Sequence, residues 1–128
     1  MGKGPEEWFH QAQYDLNTAE AMFEAKKYIY VVFMCHLAIE KALKGLYLKR
    51  LNCIPPKVHN LLYLVEKVSL TLPEPLLGTV FDLNRASIPT RYPEDLQQMK
   101  KDFRKQKTEK LLSKSKEVLK WLKKELRT

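Results

Sequence analysis

From about Tyr28 to Leu51 no proline interrupts the chain, and apolar residues recur every three or four positions. Val32, Cys35, Ile39, Ala42 and Leu46 form one stripe at helical spacing, which demands a core to pack against. His36, Glu40, Lys44 and Tyr47 form a second line, each three or four residues from the last. A helix that only packs needs the first stripe. The second is a row of donors, acceptors and charges able to face a ligand, a partner or water. Asn52-Cys53-Ile54-Pro55-Pro56 then stops the helix, at a length of roughly 35 Å.

Amphipathic helical patterns continue on both sides. A first helix is expected from Glu6 to Glu24, with Trp8, Ala12, Leu16, Ala19 and Phe23 inward. Glu6 and Glu7 in its first turn complement the helix dipole. A third helix is expected from about Val58 to Val68, with Leu61, Leu64, Val65 and Val68 inward. Thr71-Leu-Pro-Glu74 reads as a capping box opening a fourth helix through Leu77, Val80, Phe81 and Leu83. The prolines of Ser87-Ile-Pro-Thr-Arg-Tyr-Pro predict a loop. Leu96, Met99 and Phe103 share one helical face. Leu111, Leu112, Val118, Leu119, Leu122 and Leu126 give a last long helix, for which Thr108 is an N-cap candidate. No segment alternates long enough for a strand. The reading is all-α: an up-and-down antiparallel bundle of about five helices in one domain, residues 1–128.

Charge is uneven. Residues 1–97 hold eleven Lys/Arg and eleven Asp/Glu, whereas residues 98–128 hold twelve against four, so the net charge of +8 lies wholly in the last quarter. Such an excess fits either phosphates and acidic partners or a solvated helix face. No apolar run is long enough to span a bilayer, and the N-terminus has no signal-peptide core, so no membrane partner and a cytoplasmic location are expected. Cys35 reads as a small buried residue and Cys53 as a loop thiol. Gly-rich phosphate loops, HExxH and Gly-x-Ser-x-Gly are all absent. Neither a metal nor a cofactor is expected.

Four segments in order resemble the HEPN family of small helical domains. They are Trp8-x3-Ala12-x2-Asp15-Leu16-x2-Ala19, His36-x-Ala38-x-Glu40-Lys41-x-Leu43-Lys44, His59-Asn60-Leu61-x2-Leu64 and Arg91-Tyr92-Pro93. The resemblance implies a HEPN-like bundle with a four-helix core, a homodimer, and a polar groove near the two-fold axis. Some members bind nucleotides, some are ribonuclease toxins, and many small ones are encoded beside a minimal nucleotidyltransferase.

Ribonuclease members carry an Arg followed after four to six residues by His. Here Arg50 precedes His59 with eight residues between, and Arg91 has no histidine after it. Metal-independent RNA cleavage uses a general base near the 2′-OH and a cation for the developing charge. The ribonuclease reading therefore requires His36 or His59 to meet Arg91 in space. The first expectation is a non-catalytic dimeric partner of a nucleotidyltransferase that binds a nucleotide or RNA. A ribonuclease toxin of a toxin–antitoxin pair and a structural dimer docking an acidic protein are the alternatives.

Lys41, Lys44, Arg91 and Tyr92 are the residues expected to contact ligand. His36, Glu40, His59 and Asn60 are expected to shape the site. Each has a plainer role to set beside this. Glu40–Lys44 at i,i+4 is also a simple ion pair. His36 is also a core-edge histidine bonded to Glu40 or a carbonyl. His59 or Asn60 is also a cap for the third helix. Arg91 is also a partner for Glu94 or Asp95, with Tyr92 packed on the bundle.

Overall fold

The computed structural model describes residues 2–128. Six helices follow in order: α1 (Pro5–Glu24), α2 (Tyr28–Leu51), α3 (Leu61–Val68), α4 (Glu74–Arg91), α5 (Leu96–Asp102) and α6 (Lys105–Leu126). No strand occurs among the described residues, and none of their helices is long and apolar enough to cross a membrane. The expected count of about five becomes six because the chain breaks at Phe103–Arg104, ahead of Lys105.

α2 is the axis of the bundle, and each of the other five helices packs against it. Its apolar stripe of Val32, Cys35, Ile39, Ala42 and Leu46 is fully buried, joined by Val31, Ala38 and Leu43. A helix apolar on most of its circumference belongs inside a protein. α1 runs antiparallel to α2 and also to α6, as the cross-contacts show. Asp15 meets Lys41 at 3.0 Å, Gln13 accepts from Lys123 at 2.8 Å, and Glu20 pairs with Lys116.

The α1–α2 seam corrects one expectation. Phe9, not Trp8, is the buried aromatic of the first turns. Its ring lies against Gly45, where an added Cβ would sit 3.0 Å from both Phe9 Cδ1 and Trp8 Cβ. Gly45 is therefore a close-approach glycine inside a helix, and its low helix propensity is the cost of the tight seam.

Proline misled twice. α4 starts at Glu74 with Pro75 in its first turn, so Thr71 stands outside and makes no capping box. The helix also continues through Pro89 to Arg91, where a loop was expected. Pro89 lies two residues from the helix end, so its missing N–H forfeits one rung only. Nearby, Thr90 Oγ1 donates to the Ala86 carbonyl at 2.7 Å and the Tyr92 N–H to Ile88 at 2.9 Å. Thr108 is not a cap either. It lies buried within α6, whose N-cap is Arg104.

The segment after α2 positions the site. Asn52 ends α2 in the left-handed conformation (φ 51°), with its N–H on the Leu48 carbonyl at 2.9 Å. The chain then returns along α2 until His59 lies beside Glu40. From Leu51 back to that level is about 17 Å of helix. The nine loop residues reach up to about 30 Å when extended, and Pro55-Pro56 favours extended backbone. α3 begins only at Leu61, later than the expected Val58, because this returning strap occupies the preceding residues.

Two measurements follow. Gly45→Ala sets overpacking of about 1–3 kcal/mol against about 1 kcal/mol of regained helix propensity. We expect a net loss of about 1 kcal/mol in urea unfolding, and an unchanged midpoint would contradict the seam described. Burial pushes the Cys35 thiol up to about 12 despite the opposing Ser115 hydrogen bond and Lys116 charge, while Cys53 is exposed. A thiol reagent should thus modify one cysteine in the native protein, Cys53, and both after denaturation.

Candidate functional site

Glu40 sits on α2 with 4% of its surface exposed. Its Oε2 accepts from Lys44 Nζ at 3.1 Å, one turn along the same helix. Its Oε1 accepts from His59 Nδ1 at 2.9 Å. A carboxylate only accepts, so the proton between them is carried on Nδ1 of His59. The opposite nitrogen, Nε2, belongs to a side chain that is 59% exposed. A buried carboxylate thus orients an imidazole whose other nitrogen faces solvent.

The backbone around His59 is held as firmly as its ring. His36 is fully buried, and its Nε2 lies 3.1 Å from the His59 carbonyl, to which it donates. Asn60 caps α3 by accepting from the Tyr63 N–H at 3.1 Å. The Leu61 N–H donates to Asn84 Oδ1 of α4 at 2.7 Å. Three consecutive residues are therefore pinned from α2, from α4 and by their own cap. The core-edge role for His36 and the capping role for Asn60 both appear, and both serve to place His59.

Arg91 joins this group from the end of α4. Its guanidinium lies over the Phe33 ring at 4.9 Å, one turn before His36 on α2. Its charge acts on His36. Its Nε is buried without a hydrogen-bond partner. No ion pair joins Arg91 to Glu94 or Asp95 among the described residues, which removes the plainer role considered for it. Arg91 thus lies over Phe33, one turn from His36 on α2, although no Arg-x4-6-His spacing links them in sequence.

Other expected residues lie apart. Lys41 pairs with Asp15 of α1 at 3.0 Å, and Lys44 is buried on Glu40, so both ammonium groups are engaged within the fold. Tyr92 is exposed instead of packed on the bundle, and it lines a cavity of about 290 Å³ with Pro89 and Met99. His36, His59 and Glu40 are joined by hydrogen bonds and Arg91 lies over Phe33, one turn from His36, whereas Tyr92 lines a separate cavity. Sequence reading missed Phe33 and Asn84. Phe33 precedes His36 by three residues and so shares its helix face, which was a usable signal. Asn84 had none, because its partner is 23 residues away in sequence. Among the described residues no group of three or more His, Cys, Asp or Glu is placed to hold a metal ion.

Burial holds His36 at about 4, below the ordinary 6.5, against the opposing Glu40 carboxylate and His59 carbonyl; the charges of Arg91 and His59 add to the lowering. The unfolded chain therefore takes up this proton first as pH falls. His36 contributes stability that is complete above about pH 6.5 and is lost on the way down to about pH 4. The shift corresponds to roughly 3 kcal/mol. Urea unfolding at pH 7 and pH 4 should show His36→Gln losing about 2–3 kcal/mol less than the parent protein over that interval. Equal losses in the two proteins would contradict a buried neutral imidazole.

A family model for the HEPN domain matches residues 5–126. The fold is similar to the crystal structure of TT1696 from Thermus thermophilus, with TM-score 0.81, 25% identity, and 94% of this chain and 96% of that one covered. It is also similar to ST0689, an archaeal HEPN homologue, with TM-score 0.76, 26% identity, and 97% and 98% covered. No curated protein matches the sequence. The family match spans nearly the whole chain, and the protein belongs to the HEPN domain family.

Proposed function

We propose that this HEPN protein cleaves RNA without a metal, with His59 as its general base. The observation carrying the reading is the His59–Glu40 pair at 2.9 Å, which leaves Nε2 of an exposed ring free. In the proposed step that nitrogen takes the proton of a 2′-hydroxyl. The 2′-oxygen bonds to phosphorus, the bond from phosphorus to the 5′-oxygen breaks, and the departing oxygen is protonated by water. Glu40 favours the tautomer with the proton on Nδ1 and offsets the positive charge that forms on the ring. Arg91 is the cation assigned to the phosphate, because its guanidinium lies over Phe33, one turn from His36, and is in no ion pair among the described residues.

A second reading keeps the domain non-catalytic: a dimeric, nucleotide-binding partner of a minimal nucleotidyltransferase. It is favoured by the absence of the Arg-x4-6-His spacing of ribonuclease relatives. Labelled RNA incubated with purified protein and a chelator separates the two. We expect cleavage, reduced about 10²–10⁴-fold by His59→Ala and also reduced by Arg91→Ala. Removing the imidazole unpairs one oxygen of the buried Glu40 carboxylate, so the variant is assayed under conditions where circular dichroism shows it folded. Intact RNA with the parent protein, or undiminished cleavage with His59→Ala, rejects the assignment. Nucleotide titration of the parent protein and Arg91→Ala then tests the second reading.

A further inference from the structure

A separate cleft lies between α4, α5 and α6. Its volume is about 560 Å³, and Met99, Phe103 and Leu111 give it apolar walls. Four cations line it: Arg85 from α4 and Lys107, Lys110 and Lys114 from α6. The three lysines recur at i, i+3 and i+7, so they follow one face of α6, about 4.5 and 6 Å apart along the axis. All three are exposed, and none is in an ion pair among the described residues.

The carboxylates of the cleft are already occupied. Asp82 lies 3.6 Å from Arg85, and Asp102 accepts from Gln98 at 3.1 Å. Lys107 Nζ stands 4.9 Å from the centroid of Phe103. The four cations of the cleft outnumber its two carboxylates, and the lysine row stands beside apolar surface. The cleft also shares Pro89 and Met99 with the cavity lined by Tyr92, so it adjoins the corner that carries Arg91.

We propose that the α4–α5–α6 cleft binds single-stranded RNA, its lysine row following the phosphates and its apolar walls receiving bases. Evenly spaced cations beside apolar and aromatic surface match a chain that alternates phosphates with flat bases. An acidic peptide would satisfy the charges but offers no flat apolar group at each step. The inference deepens the proposed function and takes its substrate class from it.

The test uses the full chain and a fluorescent 2′-O-methyl oligouridine of roughly 12 nucleotides, which lacks the nucleophile for cleavage. Anisotropy should show that Lys107→Gln/Lys110→Gln/Lys114→Gln weakens binding about 50-fold at about 0.15 M salt, and that the log–log salt slope falls by about 2. A control that removes equal charge elsewhere, Lys101→Gln/Lys120→Gln/Lys124→Gln, should change affinity less than fivefold. The proposal is overturned if the parent does not bind, if the two triple variants weaken binding equally, or if polyglutamate displaces the RNA at equal charge concentration. Binding that passes these tests without cleavage of unmodified RNA leaves the cleft assigned and rejects the catalytic reading alone.

Discussion

The Glu40 carboxylate organises the protein around it. Taking such a group out of water costs several kcal/mol, and the bundle offsets this with Lys44 on one oxygen and His59 on the other. Removing any one member leaves a buried charge exposed to that cost. The arrangement therefore specifies more than an apolar contact would. It sets the register of the returning strap against α2, and with it the start of α3. It also fixes which nitrogen of His59 faces solvent. Stability and site geometry depend on the same pair of hydrogen bonds.

The parts legible in the sequence were those with a local cause. The boundaries of α2 and its buried stripe follow from a helical period closed by two prolines. The four inward residues of α3 follow from the same rule. His36, Glu40 and Lys44 stood out as a row on the sequence, though the row turned inward instead of forming an open groove wall. Proline was over-read at Pro89, because its effect depends on how many rungs lie beyond it, and only the folded helix shows that. Trp8 and Phe9 are adjacent, and periodicity alone could not choose between them. Gly45 makes the choice by admitting one ring. The approach of Arg91 to the histidines was invisible for a different reason. It brings the end of α4 against the body of α2 with 54 residues between Arg91 and His36, and no spacing rule reaches so far.

Two histidines on neighbouring elements take opposite roles because water reaches one and not the other. His36 is excluded from solvent, stays neutral far below neutral pH, and spends its one N–H on the His59 carbonyl. His59 uses one nitrogen within the fold and leaves the other outside. A residue that must donate reliably to a backbone carbonyl gains from being unable to change its charge. The proposed general base needs an accessible nitrogen and a fixed orientation. The strap of residues 52–60 supplies both, since it lies on the surface of the bundle while its last residues are tied to α2.

The same contrast of engaged and free groups runs through the basic C-terminal region. The excess charge of residues 98–128 is not one uniform face. Lys116 pairs with Glu20 and Lys123 donates to Gln13, so the side of α6 facing α1 uses its cations to hold the bundle together. At its end, Arg50 of α2 meets Glu125, and Lys49 donates to the Leu126 carbonyl. Lys107, Lys110 and Lys114 lie where α6 passes α4 and α5; Asp82 and Asp102 line the same cleft, but none of the three lysines is in an ion pair among the described residues. A stretch that uses Lys116 and Lys123 to hold α1 and leaves Lys107, Lys110 and Lys114 open beside apolar walls is what the proposed RNA cleft requires, with Glu109 and Glu117 among those lysines limiting its excess charge.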